Sequence, residues 1–336
     1  MEADSAEPLL SVEDLSTHFQ TPRGLVRAVD GVSFELQRGR TLGVVGESGS
    51  GKSVMSRTLL GLLPSVARVS EETQIWFDGQ DLRQLSGADF RKLLGPEIAM
   101  IFQDPLTSLN PVMTVGAQIG ESLVHHLGMR KSEARNRAVE LLAEVGIPLP
   151  EQRVRVYPHQ LSGGMRQRVA IAMALACEPK LLIADEPTTA LDVTVQAEIL
   201  DLLQREQRDR HMAMILITHD LGVVAGRTDD VAVMYAGKIV ERAPTEELFD
   251  NMRMPYTEAL MNSIPRLDDP PHTVIQAVGG RPPDLIDPPR GCRFSPRCRY
   301  AVDRCRTDPP ELSVTPDRAD HVFACWYPID RSEAAA

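Results

Sequence analysis

The sequence predicts an α/β fold, and two segments carry that prediction. The first is GESGSGKS, residues 46–53, which follows the apolar run TLGVV and precedes VMSRTLLGLL, whose apolar residues recur at helical spacing. A strand, a glycine-rich loop and a helix in that order are the context in which this motif binds phosphate. The second is LLIADE, residues 181–186, an apolar run typical of a buried strand that ends in two carboxylates.

Composition bounds the class of protein. The 336 residues suffice for two or three packed units, and 43% hydrophobic and 25% charged residues are ordinary for a soluble globular protein. A net charge of −11 disfavours a nucleic-acid surface, because such binding depends on neutralising phosphates with lysine and arginine. No secretory signal is expected at MEADSAEPLL, and the longest apolar runs fall short of the roughly 18 residues of a membrane span. We expect a cytoplasmic chain with any membrane role acting through partners.

The glycine-rich loop is the first candidate site. Its glycines permit backbone angles that are closed to other residues, so successive N–H groups can turn onto phosphate oxygens. The following helix adds its positive end. Lys52 can reach the β- and γ-phosphates, and the Ser53 hydroxyl can ligate Mg²⁺. A strand–helix turn without ligand is the alternative. The predicted nucleotide contacts of the loop are Gly46, Ser48, Gly49, Ser50, Gly51, Lys52 and Ser53.

The acidic strand end supplies the second part of such a site. Adjacent residues of a strand point to opposite faces, so Asp185 and Glu186 can have different roles. We expect Asp185 to support the Mg²⁺ shell and Glu186 to act as general base on the attacking water. An apolar strand that ends in acidic residues is common, so this segment indicates a nucleotide site only because the glycine-rich loop precedes it in the chain.

A third segment, LSGGMRQRVAIAMALA from Leu161, predicts a second anion-binding helix start. Ser162 is a plausible N-cap, and Gly163 and Gly164 leave the first turn bare. One nucleotide rarely needs two separate cradles, so we expect this helix to face the nucleotide of another subunit. An ordinary helix that starts with glycine is the alternative.

Six motifs in order resemble those of the ABC-transporter ATPases over roughly residues 8–250. The motifs are GESGSGKS, FQDP, LSGGMRQ, LLIADEP, TALD and ITHD. The resemblance implies a RecA-like P-loop core with an N-terminal antiparallel β subdomain and an inserted α-helical subdomain. It also implies ATP and Mg²⁺ as ligands and a sandwich of two ATPase chains around two ATP molecules.

The same resemblance implies roles for further residues. Gln103 would sense Mg²⁺ and water and couple them to a membrane subunit, whose coupling helix would sit in a groove near this residue. His219 would contact the γ-phosphate, Asp192 would help position the opposite site, and Gln167 would belong to the nucleotide-binding signature. Phe19 would stack on adenine, with an inward-facing strand residue as the alternative.

Flanking segments resemble the oligopeptide and dipeptide importer group of this family. They include THDLGVVA, VMYAGKIVERAPTEELF, PYTEALMNSIPRL and GRPPDLIDPPRGCRFSPRCRYAVDRC. The resemblance implies an ATPase that powers peptide import, with nickel and glutathione importers as alternatives. Implied partners are a second, different ATPase subunit, two permease subunits and an extracytoplasmic binding protein, at the cytoplasmic face of the membrane. Met254 stands where the group usually has histidine, and we expect a tolerated surface change.

The domain prediction places an ATP-binding domain at residues 1–250, with a helical subdomain at about 104–175, and an extension at 251–336. SEARNRAVELLAEVGI and GGMRQRVAIAMALA have the apolar recurrence of amphipathic helices. Proline-rich stretches, PRLDDPPH and GRPPDLIDPPRG, predict an extension without regular secondary structure. A soluble ABC ATPase that acts outside transport is the rival class. Such proteins typically carry a coiled-coil insertion, a zinc module inside the core or a second cassette, and none of these features is evident in the sequence.

Four of the five cysteines, Cys292, Cys298, Cys305 and Cys325, are concentrated in the tail. A reducing compartment argues against a disulfide and favours a metal. The wide spacing favours a [4Fe–4S] cluster, whose core accepts separated thiolates, over zinc, whose ligands tend to come in closely spaced pairs. Zinc, and thiols packed without metal around Phe294, Tyr300 and Trp326, remain alternatives. Cys177 is expected to be a core residue.

Overall fold

The chain forms two compact units in the computed structural model, which describes residues 7–104, 108–189, 191–264, 278–315 and 318–329. The helical unit comprises residues 1–9, 36–40 and 81–217, and the phosphate-loop unit comprises residues 10–35, 41–80 and 218–336. Both helices and strands are present, which confirms the predicted α/β class.

Strands and helices are numbered along the chain. The described strands are β1 (Leu10–Thr21), β2 (Gly24–Leu36), β3 (Thr41–Val45), β4 (Ala67–Val69), β5 (Gln74–Phe77), β6 (Gln80–Asp81), β7 (Ile98–Ile101), β8 (Leu181–Asp185), β9 (Ala213–Thr218), β10 (Asp230–Tyr235), β11 (Lys238–Pro244), β12 (Ser313–Thr315) and β13 (Arg318–Phe323). The described α-helices are α1 (Lys52–Leu59), α2 (Gly87–Leu93), α3 (Val115–Leu127), α4 (Lys131–Glu144), α5 (Pro150–Arg153), α6 (Gly163–Leu175), α7 (Val193–Asp209), α8 (Leu221–Val224), α9 (Thr245–Asn251), α10 (Pro255–Met261) and α11 (Asp303–Thr307). None of these described helices is long and apolar enough to span a membrane.

Three parallel strands form the sheet of the helical unit. β8 lies between β7 and β9, with Ala184 opposite both Ile101 and Leu216. Every residue of β8 is buried, as expected for a parallel strand covered on both faces. The strand therefore reads in sequence as the continuous apolar run LLIAD.

Helices α3, α4 and α6 follow from local signals. Thr114 caps α3 by accepting a hydrogen bond from the Ala117 N–H, and Gly128 ends it in a left-handed conformation. Helix α4 buries an apolar stripe along one face, as predicted for an amphipathic helix: Ala134, Ala138, Leu141 and Leu142. Helix α6 differs from the prediction, because four successive residues, 169–172, are buried. Four successive residues span more than one face of a helix, so its apolar spacing does not mark a single buried face.

The phosphate-loop unit contains two sheets. The first has the antiparallel order β2-β1-β5-β6, with β4 also paired to β1, and confirms the predicted N-terminal antiparallel β subdomain. In the second, β3 pairs in parallel with β10, and β11 runs antiparallel to β10. The sheet therefore changes from parallel to antiparallel at β11.

The tail adds two strands to this second sheet. β13 pairs with β11, with Phe323 opposite Glu241, and β12 pairs with β13. The prediction of a wholly irregular extension is therefore wrong in part. An unpaired edge at β11 would expose a row of backbone N–H and C=O groups, and β13 pairs with them. GRPPDLIDPPRG has no regular secondary structure, as predicted, and PRLDDPPH lies outside the described residues.

Met254 is not a surface residue, which corrects the sequence expectation. Its side chain is 1% exposed and belongs to a core cluster of the phosphate-loop unit. Three aromatic rings of that cluster, Tyr235, Tyr256 and Phe294, lie with centroids 4.5–5.3 Å apart. Phe294 comes from the tail, so the tail contributes to the core of this unit. The sequence did not indicate this burial, because the cluster around Met254 also draws on residues distant along the chain, such as Tyr235 and Phe294.

Candidate nucleotide site and cysteine cluster

The glycine-rich loop has the predicted backbone. Gly46, Gly49 and Gly51 have φ angles of 155°, 79° and 108°, which side-chain-bearing residues rarely adopt. Two of these positions are also crowded. A Cβ at Gly46 would lie 2.1 Å from the Met234 carbonyl oxygen, and one at Gly51 would lie 2.3 Å from the Ala28 carbonyl oxygen. Glycine is thus required by close backbone packing as well as by φ.

Lys52 shapes the loop from inside. It opens α1, its side chain is buried, and its Nζ donates hydrogen bonds to the carbonyl oxygens of Gly46 at 2.6 Å and Glu47 at 3.0 Å. The Ser50 hydroxyl is buried and has no hydrogen-bond partner among the described residues. A phosphate oxygen would satisfy such a donor, so the residues present fit a bound polyphosphate.

The acidic strand end lies in the helical unit. Asp185 is the last residue of β8 and is buried, whereas Glu186 follows the strand with φ at 47°. Glu186 is tied to the sheet through its N–H, which donates to the Ile217 carbonyl oxygen at 2.9 Å. The two carboxylates are separated by this left-handed turn, and not by strand alternation as predicted. A non-glycine residue at positive φ is strained, and such strain clusters at functional sites.

Two donors hold the Glu186 carboxylate. Gln103 Nε2 donates to Glu186 Oε2 at 2.9 Å, and Thr189 Oγ1 donates to the same oxygen at 3.0 Å. The structure therefore brings together Gln103 and Glu186, which the sequence placed in one mechanism. Thr189 was missed, although its position three residues after Glu186 places it in the same turn. Residues 105–107, next to Gln103, lie outside the described residues.

The signature segment begins α6 as predicted. Ser162 Oγ caps the helix by accepting the Met165 N–H at 3.3 Å. Gly164 has a packing role that the sequence did not indicate, because a Cβ there would lie 2.8 Å from Val195 Cγ1 on α7. Gly163 has no such crowding, since its nearest neighbour would be 3.7 Å from a Cβ.

Two further residues that the sequence predicted as nucleotide contacts belong to the helical unit. Gln167 is buried, and its Nε2 has no hydrogen-bond partner among the described residues. Asp192 caps α7, where its Oδ1 accepts the Val195 N–H at 3.0 Å. The capping role of Asp192 was not predicted, although an aspartate directly before an apolar-spaced helix is a usual N-cap signal. Ala190 of the TALD motif lies outside the described residues.

His219 and Phe19 lie in the phosphate-loop unit. His219 is exposed and follows directly after β9. Phe19 is on β1, opposite Ala67 of β4. It has the strand parity of the buried Leu15 and Thr17, yet its own ring is only half-buried. This position is compatible with both predicted roles, a stacking surface and an inward-facing strand residue.

The four tail cysteines lie side by side as free thiols. Cys305 is buried, and its carbonyl oxygen accepts the Cys292 N–H at 2.8 Å. Burial raises the pKa of the Cys292 and Cys298 thiols, and raises that of Cys325 to about 12. The neighbouring thiols contribute to the raised pKa of Cys325 in the same direction as burial, while a backbone N–H hydrogen bond from Tyr327 opposes them. These raised pKa values favour the protonated thiol at Cys292, Cys298 and Cys325 in the absence of a cation.

No group of three or more His, Cys, Asp or Glu side chains is placed to hold a metal ion within the part of the chain that the structure describes. Of the aromatic residues named for packing without metal, Phe294 is buried, whereas Tyr300 is exposed. The Trp326 indole N–H donates to the Asp308 carbonyl oxygen at 3.0 Å. Cys177 is buried in the helical unit, as expected of a core residue.

Two known families match the chain. The ABC transporter family matches residues 29–189, and the oligopeptide/dipeptide transporter C-terminal region matches residues 240–305. The chain is 50% identical to the dipeptide transport ATP-binding protein DppD of Escherichia coli (strain K12), covering 96% of this chain and 97% of that protein. It is 52% identical to the oligopeptide transport ATP-binding protein OppD of Bacillus subtilis (strain 168), covering 91% and 86%.

A solved structure of similar fold is the dimeric ATP-binding cassette MJ0796 in a post-hydrolysis state bound to ADP and Pi. It matches with a TM-score of 0.63 and 27% identity, covering 70% of this chain and 98% of that one. The protein cbiO1 from Clostridium perfringens, part of the ABC transporter complex cbiONQ, also matches at a TM-score of 0.63, with 31% identity, covering 73% of this chain and 92% of that one.

Gly51→Ala is expected to destabilise the protein more than Gly49→Ala. Both positions have positive φ, which costs a non-glycine residue about 1–2 kcal/mol. A Cβ at Gly51 also meets the Ala28 carbonyl oxygen, whereas nothing lies within 4 Å of a Cβ at Gly49. Urea denaturation followed by circular dichroism gives both free energies of unfolding. Equal losses in the two variants would contradict the packing argument.

Proposed function

Because this chain belongs to the ATP-binding proteins of ABC transporters and is an ATPase, we propose that it powers the import of dipeptides or oligopeptides. The observation that carries the proposal is similarity along nearly the whole chain, including the tail. The relatives at about 50% identity carry the names dipeptide and oligopeptide transport ATP-binding protein. The tail matches a family region named for the same two substrates.

We assign the general base to Glu186. Its carboxylate is fixed by the Gln103 amide and the Thr189 hydroxyl, so it is held in one orientation before a water molecule reaches it. Gln103 donates its hydrogen bond to the carboxylate itself, so a movement of the loop that carries Gln103 would also move the proposed base. These contacts support the proposal because a general base must be positioned before its basicity can act.

The remaining nucleotide-site residues are proposed to act on phosphate and metal. Lys52 and the loop glycines bind the phosphates, Ser53 and Asp185 hold Mg²⁺, and His219 contacts the γ-phosphate. Mg²⁺ would neutralise charge on the β- and γ-phosphates. The start of α6, with Ser162, Gly163 and Gly164, is proposed to serve the nucleotide of a partner ATPase. The other proposed nucleotide contacts are Phe19, Ser48, Ser50, Gln167 and Asp192.

The proposed partners follow from the transporter family. They are a second ATPase subunit that forms a heterodimer with this one, two permease subunits and an extracytoplasmic binding protein. The chain would sit at the cytoplasmic face of the membrane through the permease, whose coupling helix would bind near Gln103. We retain residues 1–250 as the proposed ATP-binding domain, with its helical part at about 104–175, and 251–336 as the proposed extension.

At the four cysteines we propose a [4Fe–4S] cluster. The ligands of structural zinc sites tend to come in closely spaced pairs, and these cysteines are more widely spaced along the chain. A cluster has a larger core and accepts wider ligand spacing. Support comes from the grouping of four free thiols and from backbone N–H groups that bond to three of them, Cys292, Cys298 and Cys325. Such hydrogen bonds stabilise thiolates bound to iron.

Deletion of the gene is expected to abolish growth on dipeptides or oligopeptides as sole nitrogen source, because uptake loses its ATPase. Nickel uptake and glutathione uptake, measured with labelled substrates, should stay at the wild-type level. The wild-type gene on a plasmid serves as the control and should restore growth. Normal growth on peptides with loss of nickel or glutathione uptake would replace the peptide assignment by that alternative.

Glu186→Gln is expected to lower ATP turnover of the assembled transporter by about 10²–10⁴-fold, because an amide cannot accept the proton of water. ATP binding should persist, since Gln keeps the shape of the side chain. Turnover is measured by phosphate release and binding by equilibrium titration. Glu151→Gln, a substitution at an exposed glutamate on α5, is the matched control and should leave both unchanged. Near-normal turnover of Glu186→Gln would reject Glu186 as the base.

Anaerobically purified protein is expected to show broad visible absorbance and about four iron atoms per chain. Cys325→Ser should lose both, because it removes one of the four thiol ligands. Cys177→Ala, which removes the remaining cysteine, should retain both. A colourless wild-type protein free of iron, or one holding one zinc ion per chain, would reject the cluster.

A further inference from the structure

An arginine of the tail binds the phosphate loop directly. Arg297 forms a two-pronged ion pair with Glu47, the second residue of the GESGSGKS loop. Its Nη1 lies 2.5 Å from Glu47 Oε2 and its Nη2 lies 2.9 Å from Oε1, although the residues are 250 positions apart. Only 3% of the Arg297 side chain is exposed. A buried bidentate pair of this kind fixes orientation as well as charge.

The other donors of Arg297 are also occupied. Nε donates to the Gly279 carbonyl oxygen at 2.6 Å, and Nη2 donates to the Val278 carbonyl oxygen at 2.9 Å. On the loop side, the Glu47 N–H donates to the Tyr256 hydroxyl at 2.9 Å. Glu47 is therefore held through its backbone by α10 and through its carboxylate by the tail.

A second arginine of the same tail segment reaches the loop through a turn. Arg293 donates to the Ala236 carbonyl oxygen and pairs with Asp30. Burial raises the pKa of Asp30, but the Arg293 guanidinium, together with Lys238 and His18, lowers that pKa below its usual value. The next residue of the turn, Gly237, donates its N–H to the Ser50 carbonyl oxygen at 2.8 Å. The segment between Cys292 and Cys298 thus contacts the phosphate loop by two routes.

The charge of Glu47 gives the contact a consequence for nucleotide binding. Glu47 lies between Gly46 and Ser48, both proposed to contact phosphate, and an unneutralised carboxylate in that loop would repel a polyanion. The Lys52 ammonium donates to the backbone carbonyl of Glu47 and is assigned to phosphate. Arg297 makes the bidentate pair with this carboxylate, and its guanidinium is almost fully buried while a quarter of the Glu47 side chain is exposed.

We propose that Arg297 is a positioning residue for the ATPase reaction: by pairing with Glu47, the cysteine-bearing tail sets the affinity of the phosphate loop for ATP. The inference rests on the proposed role of the loop in binding ATP. It assigns the tail a task in the nucleotide cycle that is separate from any metal at the cysteines. Removing Arg297 leaves a partly buried carboxylate in the loop without its partner, which opposes the binding of a polyanion.

The test is equilibrium titration of the full-length chain with Mg²⁺-ATP. Arg297→Ala is expected to raise Kd about tenfold, the size of effect that one lost charge compensation of about 1.4 kcal/mol produces. Combining it with Glu47→Gln should bring Kd back to within about threefold of wild type, because the repelling charge is then gone. A purely structural role would make the double variant as weak as the single one or weaker.

Arg318→Ala is the matched control. Arg318 is also a tail arginine paired with an acid, Glu247 at 2.8 Å, but 45% of its side chain is exposed and the pair is remote from the loop in sequence and contacts. Its Kd for ATP should equal that of wild type. In the assembled transporter, Arg297→Ala should raise KM for ATP about tenfold and change kcat less than twofold, because the proposed base and its two donors are untouched.

Folding of each variant is checked by circular dichroism and thermal unfolding. If Arg297→Ala does not fold, Arg297→Gln and Arg297→Lys carry the comparison. The lysine variant, which keeps the charge, should stay within about threefold of wild type, and the glutamine variant should lose about tenfold. If Arg297→Ala and Arg297→Gln bind ATP with wild-type affinity, or if the double variant does not recover affinity, the proposal for Arg297 is overturned and the proposed function is unaffected. A wild-type chain that binds no ATP overturns the proposed function as well.

Discussion

The phosphate-loop unit depends on one constraint, the direct packing of the glycine-rich loop against the backbone of two strands. The Ala28 carbonyl oxygen on β2 and the Met234 carbonyl oxygen on β10 occupy the space that a Cβ at Gly51 or Gly46 would need. The loop therefore takes its shape from rigid strands, and Lys52 closes it from within. An anion cradle made of backbone N–H groups needs this rigidity, because its donors cannot reorient as side chains do.

The helical unit positions the carboxylate that we propose as the general base. Glu186 follows the buried strand that ends at Asp185 and lies in a left-handed turn. There, Gln103 and Thr189 both donate hydrogen bonds to one of its carboxylate oxygens. The strained turn gives two adjacent acids different surroundings, one buried and one partly open. Differences of this kind are how neighbouring carboxylates acquire separate roles in catalysis.

The tail is a structural part of the phosphate-loop unit, although its composition suggests a loose connector. Phe294 completes an aromatic cluster with Tyr235 and Tyr256, and β13 covers the edge of β11. The basic residues around the cysteines are consistent in sequence with a flank for an anionic metal centre. Arg293 and Arg297 instead pair with Asp30 and Glu47, next to or within the phosphate loop. The same short segment therefore contacts both the core and the glycine-rich loop.

The sequence by itself determined the features that depend on neighbours a few positions away. The strand, loop and helix around residues 46–53, the cap at Ser162 and the acidic end of β8 follow from backbone permissiveness, capping and apolar runs, all of which act locally. Tertiary structure alone decided the burial of Met254, the added strand β13, the need for glycine at Gly164 and the pairing of Arg297 with Glu47. Each of these depends on partners from distant parts of the chain, and periodicity in one segment carries no information about what another segment packs against it.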